Sequence, residues 1–176
     1  MRMSRIVLVV AAGSLACQDA GTPTAPMAGD GAAFSSADQA SQVAGDWVFR
    51  FDRMVGNDVT GANGRIRDQN AAGAPWRVER AEARLSQNGQ LRVKVEGLVL
   101  QATGVNPVAA FRAILSCQTN DGNALVNVNL QTETVAVGPD GDAEFRENLS
   151  GIPAPCYAPI VFVTNAGGSW FAVSGF

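Results

Sequence analysis

The chain has 176 residues, 47% hydrophobic and 16% charged, with 13 Lys and Arg against 16 Asp and Glu, a formal net charge of -3, three Cys and no His. A charged fraction well under the usual ~25% argues against a disordered chain or a coiled coil, and the acidic balance argues against a nucleic-acid partner. Without histidine the commonest general base, the Ser-His and Cys-His nucleophile pairs and the imidazole ligands of most zinc and iron sites are missing.

Residues 1–16 read as a secretory signal peptide. Arg2 and Arg5 form a positive start, and the apolar run from Ile6 to Ala12 continues to Leu15, too short to span a bilayer. Ser14 and Ala16 then satisfy the small-x-small cleavage rule. Cys17 is the next residue, and Leu15-Ala16-Cys17 resembles the end of a bacterial lipoprotein signal, in which a small residue precedes the cysteine that becomes lipidated. The departure from that pattern is Ser14, which stands where such signals carry Leu. The resemblance covers the signal alone and implies diacylglycerol and an N-acyl chain on Cys17, enough for stable membrane attachment. Gln18, where an Asp would favour inner-membrane retention, leans the address toward the outer membrane or cell surface.

Residues 17–45 are rich in Gly, Ala, Ser, Thr and Pro and nearly free of large apolar side chains. Such a stretch buries too little surface to offset its chain entropy and reads as a flexible tether.

From Asp46 to Phe176 the hydrophobic period is two, and β-branched and aromatic residues collect into runs between Gly, Asn, Asp and Pro. Strands are expected near 46–54, 76–86, 90–100, 108–117, 124–136, 143–149, 158–164 and 169–176. Eight short strands at this spacing predict an all-β antiparallel sandwich, Ig-like or jelly-roll-like, with a small eight-stranded barrel as the alternative. The clearest local signal is a hairpin with the three-residue loop Gln87-Asn88-Gly89. It pairs Leu85 with Leu91, Ala83 with Val93 and Ala81 with Val95 on one face, and Glu82 with Lys94 and Arg80 with Glu96 on the other, with Gly89 in the left-handed position of a bulged type I turn. A second loop, Ala166-Gly167-Gly168, is expected to set Val163 opposite Phe171 and Val161 opposite Val173. Both faces of that hairpin are apolar, so it is either covered on two sides or exposes an apolar surface that a partner covers. Cys117 and Cys156 are expected to pair, as cysteines of an exported domain do.

Candidate chemistry is sparse. Asn120-Asp121-Gly122-Asn123, Asp140-Gly141-Asp142 and Asn57-Asp58 with Val59 to Gly64 could offer calcium ligands, but turn chemistry explains them and none has the spacing of a calcium loop. Asp142 and Glu144 alternate on one strand face with Glu147 on the other, a weak basis for a carboxylate hydrolase. Ser150 and Ser169 lack a nucleophile elbow. Neither a metal nor a cofactor is expected, nor is catalysis. The arginines Arg80, Arg84 and Arg92 with Lys94 form a basic hairpin face that could meet an anionic sugar or headgroup, Arg84 and Arg92 being its uncompensated pair. The amide row Asn127, Asn129 and Gln131, near Gln118, Thr119 and Asn120, could join Trp47, Trp76 or Trp170 in a platform for a glycan or protein ligand. The expectation is therefore a cell-envelope binding or structural module whose membrane partner is met through Cys17, with a carboxylate hydrolase or a self-associating subunit as alternatives.

Overall fold

The computed structural model describes residues 47–58 and 64–175. The signal peptide, Cys17, the tether, Val59 to Asn63 and the terminal Phe176 lie outside the described residues. The architecture is all-β, with twelve antiparallel strands and no α-helix among the described residues. In chain order they are β1 (Trp47–Phe51), β2 (Val55–Gly56), β3 (Trp76–Arg77), β4 (Arg80–Ser86), β5 (Gln90–Glu96), β6 (Val99–Leu100), β7 (Ala110–Asn120), β8 (Leu125–Gln131), β9 (Val135–Ala136), β10 (Ala143–Asn148), β11 (Tyr157–Thr164) and β12 (Trp170–Val173). The eight expected runs become twelve strands because three of them, 76–86, 90–100 and 124–136, break and resume with new partners, and because β2 forms just past the end of the first. There the chain leaves one sheet after Phe51 and enters the other at Val55.

One sheet has the order β1-β4-β5-β10, the larger has β2-β12-β11-β7-β8 with β9 also on β7, and β3 and β6 form a small ribbon. Neither sheet closes on itself, so the expected sandwich is found and the barrel is not. Alternation explains the core. Ala81, Ala83 and Leu85 of β4, Leu91, Val93 and Val95 of β5 and Phe145 of β10 pack against Phe111, Ala113, Leu115 and Cys117 of β7, Val161 and Val163 of β11 and Phe171 of β12. Each such aliphatic or aromatic side chain contributes on the order of 1.5–3 kcal/mol by leaving water.

The first hairpin has the expected register from Arg80 opposite Glu96 to Leu85 opposite Leu91, and Gly89 has φ +83°. The second hairpin corrects the sequence reading. Its three-residue loop is present, closed by Asn165 N–H donating to Ser169 O at 3.0 Å, and Thr164 faces Trp170. Val163 then faces Ala172 in place of Phe171, and Phe162 faces Val173. The extra residue is Phe171, a bulge that turns both Phe171 and Ala172 into the central core while Trp170 and Val173 join a second cluster on the outer face. Sequence alternation cannot reveal this shift, because every residue from Trp170 to Val173 is apolar and all four are buried.

The segment from Gly64 to Ala72 covers that outer face. Ile66 and Ala71 pack with Ile114, Ile160, Phe162, Trp170 and Val173. Trp170 receives a donor from Ala72 N at 2.9 Å, donates its own backbone N–H to Asn70 O at 2.9 Å and its indole N–H to Gly64 O at 2.8 Å. The strap thus satisfies the strand backbone as well as its side chains, and the apolar hairpin is covered on two sides.

Gly56 is fixed by a close backbone approach: a Cβ there would lie 2.2 Å from Trp76 O and 2.9 Å from Arg77 Cα. Gly56→Ala is expected to cost about 2–3 kcal/mol by forcing β2 off β3. Gly73→Ala, where a Cβ meets nothing within 4 Å, is expected to stay within about 0.5 kcal/mol. Urea unfolding of the two variants beside the parent chain checks the contrast.

Candidate functional site

The aromatic and amide platform is not assembled. Trp76 is 3% exposed and stacks on Phe171 at 4.1 Å between ring centroids, and Trp170 is 4% exposed beneath the strap. Both rings are core, so neither offers a face to a ligand. The amide row does line the outer face of β8, but the strap uses it: Asn127 Nδ2 donates to Asp68 Oδ2 at 2.9 Å and Asn129 Nδ2 to Arg67 O at 2.9 Å. Gln131 accepts from Arg112 through its side-chain oxygen. Arg67 (φ +48°) and Asp68 (φ +68°) take left-handed backbone to present these acceptors, and Arg67 Nη2 donates to the carbonyl of Ala158, itself at φ +40°. The three non-glycine residues with left-handed backbone among the described residues therefore meet in one knot that fastens the strap.

The basic face is larger than expected and is compensated. Arg50 lies opposite Arg84, Arg84 opposite Arg92 and Arg92 opposite Arg146, a row of four arginines across all the strands of the smaller sheet. Adjacent like charges repel, and acids on the same face offset them. Asp52 pairs with Arg50, Glu82 with Arg84, and Glu144 with both Arg92 (3.0 Å) and Arg146 (3.3 Å). Arg84 and Arg92 are thus not the uncompensated pair that the sequence suggested. Lys94 sits opposite Glu82 but turns along its own strand to Glu96 at 2.6 Å, which also binds Arg80 at 2.7 Å. The members of this row contributed by β1 and β10 were missed because their register is set by non-local pairing.

The acidic candidates are engaged by backbone donors. Asp121 Oδ1 accepts from Asn123 and Ala124, Asp142 Oδ1 from Gly97, Asp140 Oδ1 from Asp142, and Glu147 from Glu133. Asp58 accepts from the Gln101 amide. Among the described residues no three ligating side chains converge on a metal position.

An uncharged concave feature lies elsewhere, at one end of the sandwich. The turn Ser86 to Gln90 is held by Gly89 N–H on Ser86 O at 3.0 Å and by Gln90 N–H on Ser86 Oγ at 3.1 Å. The loop Leu149 to Cys156 docks against it, Leu149 N–H donating to Gly89 O at 3.0 Å. Cys156 is bonded to Cys117 with 5.0 Å between Cα atoms, confirming the expected disulfide and tying the far end of the loop to β7. Between turn and loop lies a groove of about 480 Å³, walled by Val48, Leu149, Ile152, Pro153, Ala154 and Pro155 and floored by Leu85. Across the turn a smaller hollow of about 250 Å³ is lined by Trp47, Ser86, Gln87 and Asn88, with Arg84 at 5.7 Å from the Trp47 ring. No charged side chain lines either one. A neutral groove with an apolar wall and a polar turn can hold a ligand, and it supplies no acid, base or nucleophile within its walls. The sequence signals were Asn88-Gly89 and the Pro-rich Pro153 to Pro155, but nothing local says that turn and loop meet.

Comparison with protein-family models, with curated proteins and with solved structures returned no match to this chain.

Electrostatics outside the groove predict the response to acid. The Asn127 amide, then Arg65, hold the Asp68 carboxyl below its ordinary value; Lys94, then Arg80, do so for Glu96; backbone N–H groups of Asn123 and Ala124 do so for Asp121. Because the unfolded chain takes up these protons first, their stabilisation is present above the ordinary carboxylate pKa and is lost as pH falls through the depressed values. Lys94 is shifted upward by Glu96, so its contribution is present below the ordinary lysine value and is lost only as pH rises above it. The melting temperature is expected to be flat from about pH 6 to 8 and to fall below about pH 4. Asp68→Asn should flatten part of that fall, as read by thermal unfolding at stepped pH.

Proposed function

We propose that the protein is an exported binding module of a bacterial cell envelope, anchored by acylated Cys17 through the 17–45 tether, that takes an uncharged aliphatic segment of another envelope protein into its end groove. The observation that carries the recognition part is the neutral, apolar lining of a groove whose two walls are a hydrogen-bonded turn and a disulfide-tied loop. Preformed walls lower the ordering cost of binding. The envelope part is supported by the charged start, apolar run and small residues before Cys17. Binding is favoured over carboxylate hydrolysis because Asp142, Glu144 and Glu147 each already hold a donor or a cation and none lines the groove.

A second reading rests on a different observation. The row Arg50, Arg84, Arg92 and Arg146 lies perpendicular to the strands on the solvent face and suits a linear anionic glycan. Salt separates the two readings, since glycan binding along arginines weakens as ionic strength rises and apolar binding does not.

Arrays of aliphatic peptides and of envelope glycans, probed with the full mature chain, test the proposal. The expected result is peptide binding that Ile152→Asp weakens by at least about tenfold, the effect of placing a charge in an apolar contact, and that Arg92→Gln leaves unchanged. Binding confined to anionic glycans and lost in Arg92→Gln would transfer the function to the arginine row. Intact mass of the membrane-extracted chain is expected to show Cys17 as a triacylated N-terminus, and Cys17→Ser should move the protein to the soluble fraction.

A further inference from the structure

Sheet edges expose unpaired backbone groups, and stable monomers protect them with charge, proline, bulges or brevity. Three of the four edges here have such protection. β1 is bulged between Trp47 and Phe49 and carries Arg50; β10 carries Glu144, Arg146 and Glu147; β2 is two residues long. β8 has none. It runs for seven residues, Leu-Val-Asn-Val-Asn-Leu-Gln, without a charge, a proline or a break in its register with β7.

The direction of its backbone groups follows from its two ends. Thr132 N–H donates to Ala113 O at 2.9 Å, and Ala124 O accepts from Asp121 N–H at 3.2 Å. With an unbroken register between these points, the even-numbered residues turn N–H and C=O toward β7. Leu125, Asn127, Asn129 and Gln131 turn theirs to the free edge. Those backbone groups have no partner among the described residues. The side chains tell the same story. Val126, Val128 and Leu130 face the core side of the sheet yet remain half-exposed, while their neighbours Leu115 and Cys117 on β7 are fully buried.

We propose that β8 is a self-association edge, pairing antiparallel with β8 of a second copy across a two-fold axis at Val128. The strand is complementary to itself in that register. Val126 meets Leu130, Val128 meets Val128, and Asn127 meets Asn129, so aliphatic lies on aliphatic and amide on amide with no like charges opposed. The odd-numbered residues fall in hydrogen-bonded pairs, so each outward N–H faces a C=O of the other copy. The larger sheets of the two copies become one continuous sheet, and the half-exposed aliphatic row is covered. The end grooves and the arginine rows take no part, so this inference stands apart from the recognition reading.

The mature chain carrying Cys17→Ser, which removes the anchor thiol, allows the test in solution. Light scattering after gel filtration is expected to give twice the chain mass. Asn129→Pro removes one outward N–H without touching the β7 ladder and is expected to give a monomer. Asn129→Ala loses the same side-chain contact to Arg67 but keeps the N–H, and is expected to stay dimeric. A nitroxide on Leu125→Cys supplies a readout that does not depend on the proline variant folding. Leu125 pairs with Gln131 of the other copy, so the two labels should sit about 20 Å apart, six residues at ~3.4 Å each. A parent chain that stays monomeric at its solubility limit, a dimeric Asn129→Pro, or labels without that separation would overturn the proposal.

Discussion

The larger sheet is apolar on its inner face and, around Ile114, Ile160, Phe162, Trp170 and Val173, on its outer face too, and the rest of the structure answers that one constraint. Its inner face is covered by the smaller sheet, whose alternation of Ala, Leu and Val with Arg, Glu and Lys makes it a one-sided lid. The outer face has no second sheet, and the strap from Gly64 to Ala72 covers it. Trp170 joins the two layers: its ring fills the outer cluster, its indole N–H and its backbone N–H and C=O are met by the strap, and Phe171 beside it enters the central core. A strap is a costly cover because irregular backbone must find its own hydrogen-bond partners. Here the amides of β8, the left-handed turn at Arg67 and Asp68 and the carbonyl of Ala158 provide the fastening.

That fastening decides what is left over for binding. The amides Asn127 and Asn129 that a ligand would have used are engaged by the strap, Trp76 and Trp170 are buried while Trp47 lines only the small hollow beside the turn, and the acidic candidates already accept from backbone, amide or arginine donors. Among the hollows that remain, one is a neutral groove at the end of the sandwich, where hairpin turn and disulfide-tied loop face one another across aliphatic side chains, whereas those beside Asp52 and Glu79 and beside Glu96, Asp142 and Glu144 are lined by charge. Also left is the edge of β8, whose outward backbone groups have no partner among the described residues although the strap holds its Asn127 and Asn129 side chains. The groove and the β8 edge lie on different parts of the molecule, so the two proposals do not compete for one surface.

Much of the fold was legible because local rules governed it. Asn88-Gly89 between alternating runs placed the first hairpin and every cross-strand pair in it, and the Cys117–Cys156 bond agrees with the pairing expected of two cysteines in one small domain. The second hairpin was legible only as far as its loop. Four consecutive apolar residues carry no alternation, so the bulge at Phe171 leaves no mark in sequence, and the strand is one-sided or two-sided according to what covers it. The site was less legible still. Trp76 and Trp170 read equally as platform or core, and only packing against Phe171 and beneath Gly64 separates the two.

By itself the sequence determined the class of this protein: an all-β sandwich with one disulfide, no imidazole chemistry, and a solvent face of alternating charge. Those properties are local or compositional, set by period, turn residues and residue types. Tertiary structure alone decided which polar groups were already engaged. The row of Arg50, Arg84, Arg92 and Arg146, the meeting of the 86–90 turn with the 149–156 loop, and the masking of Asn127 and Asn129 by the strap all join residues from distant parts of the chain. The physical reason is that hydrogen-bond satisfaction and burial are properties of neighbours in space, and a strand's pattern names its faces without naming what will lie against them.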